Sequence, residues 1–238
     1  SDTQSTVTTA EGAVQTYTIA PGLQRRVTSV ATAGMGTSAH AYDTTSGLLT
    51  TVTDRNNVKT RYEYDPTHRD VVAIVEADTT LQQRRIEYSR DPQTRLVTEQ
   101  RVRDRAGALV AKVGATYNDR QQVTVATRSA PDGSSSRAST TTYCETDDVN
   151  AVDSTCPVLG LVKQIDGPLP NTGQQDDITR FQYRSADAPG CAEVPATCAW
   201  RKGDLWKTIN PKGQVTEILA YDGTGRVRSV KDANGVVT

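Results

Sequence analysis

The 238 residues contain one phenylalanine, one methionine, two tryptophans and two histidines, and hydrophobic side chains make up only 35% of the chain. Large apolar groups are too few to fill a deep two-layer core, because globular domains ordinarily carry an apolar share nearer one half. An excess of either charge is missing too: 27 basic and 28 acidic residues leave a net charge of −1, with the signs interspersed. That excludes the basic footprint of a nucleic-acid binder or of a protein held to an anionic membrane. No apolar run is long enough to span a bilayer as a helix, so membrane insertion is not expected. No segment keeps a helical period, which leaves strands as the source of regular structure. The chain lacks a G-x-S-x-G elbow and a D-x-D-x-D-G calcium loop, and no cofactor or metal set is read from it. It opens at Ser1 without methionine and stops at Val236-Val237-Thr238, and is expected to be a piece of a longer polypeptide, so the lack of a leader says little.

Tyrosine is present in quantity and in order. Eight of the nine tyrosines, Tyr17, Tyr42, Tyr64, Tyr88, Tyr117, Tyr143, Tyr183 and Tyr221, recur at separations of 25, 22, 24, 29, 26, 40 and 38 residues. Recurrence on this scale marks a repeat array, in which one supersecondary unit is used again and again. The residues leading into each tyrosine are strand formers, as in Thr60-Arg61-Tyr62-Glu63-Tyr64 and Arg84-Arg85-Ile86-Glu87-Tyr88. After the tyrosine comes a turn. Asp43, Asp65 and Asp222 can accept hydrogen bonds from backbone N–H groups two residues on, and Gly47 or Gly225 can supply the positive φ that closes the turn. In Tyr64-Asp65-Pro66-Thr67-His68-Arg69, His68 is placed in the glycine slot and is expected at positive φ. A second set of turns, at Asp54, Asp104, Asn210 and Asp232, returns the chain toward the next tyrosine. His40, two residues before Tyr42, reads as a packed or surface histidine.

Two lengthened intervals, at about 144–158 and 185–202, hold all four cysteines. Three connectivities are open. Local pairing, Cys144 with Cys156 and Cys191 with Cys198, is expected over free thiols. Zinc is weaker still, because the spacings are unlike the usual short knuckles. Each bridge would close a short loop worth about 2.5 to 3 kcal/mol on the chain-entropy model. Neither is expected to support the repeat strands. Disulfides would imply an extracytoplasmic destination.

The copy Tyr221-Asp222-Gly223-Thr224-Gly225-Arg226-Val227, followed by Val230, Asp232, Asn234 and Gly235, resembles the unit of the Rhs or YD-repeat family, Y-D-x-x-G-R-L with a strand, a D-x-x-G turn and a strand back. The resemblance covers nearly everything from about Val7 onward. It departs at Tyr117-Asn118-Asp119-Arg120-Gln121, at Tyr143-Cys144 and at Tyr183-Arg184, where irregular turns are expected. It implies an all-β fold: a single continuous antiparallel sheet of hairpins over 1–238, curved or spiralling as part of a shell, with the tyrosines, Asp222, Gly225 and Arg226 as repeat scaffold. It also implies a secreted or cell-surface, non-enzymatic protein whose partners are the remaining repeats and a C-terminal toxin domain of the same polypeptide. The alternative is a surface adhesin that stacks carbohydrate on its aromatics, with Trp206 in Gly203-Asp204-Leu205-Trp206-Lys207 as the first candidate contact. Uncharged ends near Val7 and Val237 would let the isolated chain self-associate through strand edges.

Overall fold

The computed structural model describes residues 3–20, 22, 25–169, 177–192 and 198–238. Among them are seventeen strands of one antiparallel sheet and a single short helix. The chain divides into two compact units, Ser1–Val113 with Ser129–Ser134, and Gly114–Arg128 with Ser135–Thr238.

In the first unit the strands are β1 (Thr3–Thr8), β2 (Val14–Ala20), β3 (Arg26–Thr32), β4 (Gly36–Tyr42), β5 (Leu49–Thr53), β6 (Lys59–Tyr64), β7 (Val71–Asp78), β8 (Arg84–Arg90) and β9 (Val97–Asp104). Each pairs with the next in sequence. Strand β10 (Leu109–Tyr117) leads into the second unit. There β11 (Val123–Ser129), β12 (Ser136–Tyr143), the helix α1 (Thr146–Asn150), β13 (Val162–Asp166), β14 (Thr179–Tyr183), β15 (Leu205–Ile209), β16 (Val215–Tyr221) and β17 (Val227–Lys231) follow. From β12 to β17 these too pair in sequence order. After β17 the chain turns at Asp232–Gly235, and Thr238 and Val230 exchange backbone hydrogen bonds at 2.9 and 2.8 Å.

The hairpin turns that open on Asp or Asn come in two lengths. In six of them the N–H of the fourth residue donates to the carbonyl of the first: Asp54–Asn57, Asp104–Gly107, Asn118–Gln121, Asn210–Gly213, Asp222–Gly225 and Asp232–Gly235. The fourth residue has positive φ in every case, 63° at Asn57, 61° at Gln121 and 77° to 85° at the glycines. Three others, Asp43–Gly47, Asp65–Arg69 and Asp91–Arg95, hold one residue more, and the positive φ falls on the fifth: 70° at Gly47, 63° at Arg69 and 62° at Arg95. This corrects the placement of His68. The extra residue moves the left-handed position to Arg69, and the His68 N–H instead donates to Asp65 Oδ1 at 2.6 Å inside the turn.

Few side chains are fully covered, as the composition requires. In the first unit Ala73 and Val75, each 1% exposed, are the deepest. Arg61 and Glu63 on β6 stand opposite Val75 and Ala73 on β7, which stand opposite Arg85 and Glu87 on β8. These residues therefore share one face of the sheet. Arg85 reaches across β7 to grip both carboxylate oxygens of Glu63, at 2.8 and 2.7 Å, and Arg103 on β9 reaches Glu87 at 2.9 Å. The ion pairs and the aliphatic stems that carry them roof the small residues of β7, in place of a second layer of apolar side chains. The opposite face carries Tyr62, Ile74, Ile86 and Val102 in register.

Arg85, then Arg61, hold the Glu63 carboxyl at about 2 against an ordinary 4.5. A carboxylate depressed in the folded state stabilises fully above its unfolded pKa, and the stabilisation is lost as pH falls toward the folded value. Acid titration of the melting temperature should thus show a loss between about pH 4.5 and 2. Glu63→Gln should remove about 1 to 2 kcal/mol at neutral pH, after allowance for solvent screening, and flatten that part of the profile.

Candidate functional site

The feature repeated through the chain is a clasp that closes β4, β6, β12, β14 and β16. At Ala41/Tyr42, Glu63/Tyr64, Thr142/Tyr143, Gln182/Tyr183 and Ala220/Tyr221 the register shifts by a bulge just before the tyrosine. The tyrosine then faces the aliphatic residue that opens the next strand, as Tyr42 faces Leu49, Tyr64 faces Val71 and Tyr183 faces Leu205. Its hydroxyl donates backwards to a carbonyl at the first or second residue of the preceding strand. Tyr42 binds Val27 at 3.0 Å, Tyr64 Leu49 at 2.7 Å, Tyr143 Val123 at 2.7 Å, Tyr183 Val162 at 2.6 Å and Tyr221 Leu205 at 2.7 Å. Thus Leu49 faces one tyrosine and gives its carbonyl to the next, and Val162 and Leu205 do the same.

Two tyrosines read as members of this set lie elsewhere. The bulge of β8 comes at Ser89/Arg90, so Arg90 takes the slot, and its Nη2 reaches the Val71 carbonyl at 3.4 Å. Tyr88 stands two residues earlier on the strand. In β2 the shift falls at Thr18/Ile19 and Ile19 faces Val27, again leaving Tyr17 two residues short, with its hydroxyl on Gln15 Oε1 at 2.8 Å. Tyr117 closes β10 immediately before the Asn118 turn.

Asp222 ties its turn together through one oxygen, Oδ1, which accepts from the N–H groups of Thr224 at 2.8 Å and Arg226 at 3.0 Å. Those bonds, foremost that from Arg226, hold its carboxyl below the usual range. Asp43, Asp65 and Asp91 are lowered in the same way, foremost by the N–H groups of Ser46, His68 and Thr94. Gly225 has φ 83° with open space where a Cβ would stand, and Arg226 is exposed beyond its backbone bonds to Asp222.

Both expected cysteine pairs are bonded, Cys144 to Cys156 and Cys191 to Cys198. The first is not peripheral. Cys144, Cys156 and Tyr183 form a buried cluster against Leu161, Phe181 and Leu205, so the bridge is part of the core beneath β14 and β15. The scarcity of large apolar residues explains this, since a cystine serves as a compact apolar filler. The second bridge packs with Ala188, Ala199 and Trp200. Of the interval about 185–202, residues 193–197, Pro195 among them, lie outside the described residues, as does Asp176.

Around the second bridge the aromatic groups are engaged within the chain. Arg184 stacks over Trp200 at 4.0 Å and over Trp206 at 5.0 Å, and its Nη2 donates to the Ile218 carbonyl at 2.8 Å. Trp206 donates its Nε1–H to Glu217 at 2.7 Å, and Lys207 Nζ lies 3.8 Å from its ring centroid. The indole singled out as a contact for an outside ligand is therefore committed to its neighbours. A cleft of about 280 Å³, which Trp206 does not line, lies between Trp200, Arg201, Asp204 and the turn at Asp222–Gly225. His40 is half-buried on β4 opposite Val52. Among the described residues, no three His, Cys, Asp or Glu side chains converge as a metal set.

Comparison with known proteins agrees with the architecture. The RHS Repeat family model matches residues 42–81, the stretch from the Tyr42 clasp through the Tyr64 clasp and into β7 and beyond. That stretch carries the RHS repeat. The crystal structure of TcdB2-TccC3-Cdc42 superposes on 95% of it with a TM-score of 0.52 at 18% identity, and that of TcdB2-TccC3 does so with 0.52 at 17%. TcdB2-TccC3 without its hypervariable C-terminal region gives 0.50 at 16%. The chain spans 13% of the length of each. No curated protein matches it.

Removing one hydroxyl from the clasp tests its worth. Tyr183→Phe should lose about 1 to 2 kcal/mol in chemical denaturation, because the Val162 carbonyl is left without that donor in a buried place. Gly225→Val should cost about 1 to 2 kcal/mol through backbone strain alone, since no neighbour crowds the site, and Gly225→Asn should cost little.

Proposed function

We propose that this chain is a non-catalytic structural segment of a β-shell wall, whose parent polypeptide encloses a C-terminal toxin domain and acts outside the cytoplasm that made it. The observation that carries the reading is the clasp. One tyrosine hydroxyl on one strand-opening carbonyl, repeated from Tyr42 to Tyr221, spends the commonest aromatic residue on holding the sheet to itself. The likeness to TcdB2-TccC3 in fold, and the hypervariable C-terminal region named for that protein, support a wall that stays constant while its cargo varies. The two disulfides support an oxidising destination. The mechanism is steric: paired strands keep a cargo from its targets until the wall opens, and the partners are the other repeats and the cargo of the same polypeptide.

Electron cryomicroscopy of the full-length parent tests this. The expected result is this segment built into a closed wall, with protein density inside that disappears when the C-terminal domain is deleted. A segment exposed to solvent on both faces would overturn it. A glycan array on the 238-residue chain is expected to be blank. A polysaccharide bound in a way that Trp200→Ala abolishes would favour the adhesin reading instead.

A further inference from the structure

The two disulfide-closed insertions do the same thing at two places. The insertion that follows Tyr143 docks on the next clasp tyrosine: Thr155, immediately before Cys156, accepts the backbone N–H of Tyr183 at 2.7 Å. The insertion that follows Tyr183 docks on the next again: Ala199, immediately after Cys198, accepts the backbone N–H of Tyr221 at 2.7 Å. Both amides lie at bulges, where the ladder register breaks. In each case a cystine sits beside the accepting carbonyl and in the buried cluster beneath it.

We propose that each cystine is a redox-sensitive clasp on the tyrosine ahead of it. Oxidised, the loops lock the ends of β14 and β16; reduced, they let those ends go. A dithiol reductant supplies two electrons and two protons to each bridge: the S–S bond breaks, two cysteine S–H bonds form, and the reductant leaves as its own disulfide. The four cysteines are only 0% to 8% exposed, so attack waits on local opening and is slow in the folded chain. A chain that passes from an oxidising to a reducing compartment would thus loosen at two defined strand ends while the first unit, which has no cysteine, keeps its structure. Other ties oppose release. Around the first loop Arg120 pairs with Glu145, Lys163 with Asp148, and Gln122 with the Gly160 carbonyl. The proposal holds whether the sheet encloses a cargo or stands on a surface.

Hydrogen exchange of the 238-residue chain, read by mass spectrometry before and after complete reduction with dithiothreitol and alkylation of all four thiols, tests it. Peptides carrying the Tyr183 and Tyr221 amides should exchange at least about tenfold faster once reduced, while peptides from β6 to β8 stay unchanged. Unchanged protection at Tyr183 and Tyr221 would overturn the proposal, since the loops would then be held by their other contacts. The paired variants separate the two clasps without a reductant. Cys191→Ser with Cys198→Ser should release Tyr221 alone, and Cys144→Ser with Cys156→Ser should release Tyr183 first. Equal loss at both tyrosines in the Cys191/Cys198 pair would also overturn it, because the bridges would then act on the unit as a whole.

Discussion

The structure depends on a donor placed at the far end of a long side chain. A bulge at the close of β4, β6, β8, β12, β14 and β16 breaks the ladder and turns the next side chain along the sheet, so that its tip meets a carbonyl at the start of the strand before. Tyrosine fits because its ring is rigid and loses few rotamers, and because its hydroxyl sits far enough out to reach. Arg90 shows that reach and a donor are the requirement: in the same slot, after the same bulge, its guanidinium finds the Val71 carbonyl. Ile19 shows the complementary case, filling a slot with packing alone while Tyr42 still serves the Val27 carbonyl across from it.

With strand ends fixed this way, the two units make up for scarce apolar volume by different means. The first lays Arg85 over β7 to reach Glu63, which works only because β7 presents alanine and valine under the bridge. A larger residue at Ala73 would lift the guanidinium away and leave Glu63 to Arg61 and Arg85 to Glu87, with no tie across β7. The second unit folds an insertion back instead, and fills its core with the Cys144–Cys156 bridge and the Tyr183 ring. The sulfurs there do the work that leucines do in richer cores. An ion-pair roof and a cystine filler are both sensitive to solution conditions, the one to acid and the other to reductant, in a way that an aliphatic core is not.

The strands and turns were legible because they rest on local chemistry. Aspartate followed by glycine at fixed distance declares a turn, and the runs before each tyrosine declare strands. The bulges were not, because a register shift is decided by what the neighbouring strand offers. Tyr88 and Arg90 lie on the same face, and only the pairing of Arg90 with Val97 shows which of them closes β8. His68 was misplaced for a related reason: a turn with one added residue has the same composition as its shorter counterpart, and Arg69 gives no sign in sequence of its positive φ. The cysteine pairing was readable from proximity along the chain, but the docking of those loops on Tyr183 and Tyr221 joins residues 28 and 22 positions apart. The ladder of Arg61, Glu63, Arg85, Glu87 and Arg103 had a signal, charges alternating at every second residue of successive strands, that reads equally well as a solvated face.

The carboxylates bear on function most directly. A side chain that moves protons near neutral pH is usually raised toward that range by burial or by a like charge. In this chain the movement is the other way. Glu63 and Glu87 are lowered foremost by arginines, Asp148 by Lys163, and the turn aspartates by the backbone N–H groups they hold. Each stays ionised at neutral pH, with its oxygens already occupied by donors of the same fold. The indoles follow the same rule, with Trp200 under Arg184 and Trp206 bound to Glu217. Groups that an enzyme or a lectin would keep free are used here to join strand to strand, and it is this inward commitment of side chains, more than any missing motif, that supports the structural role proposed above.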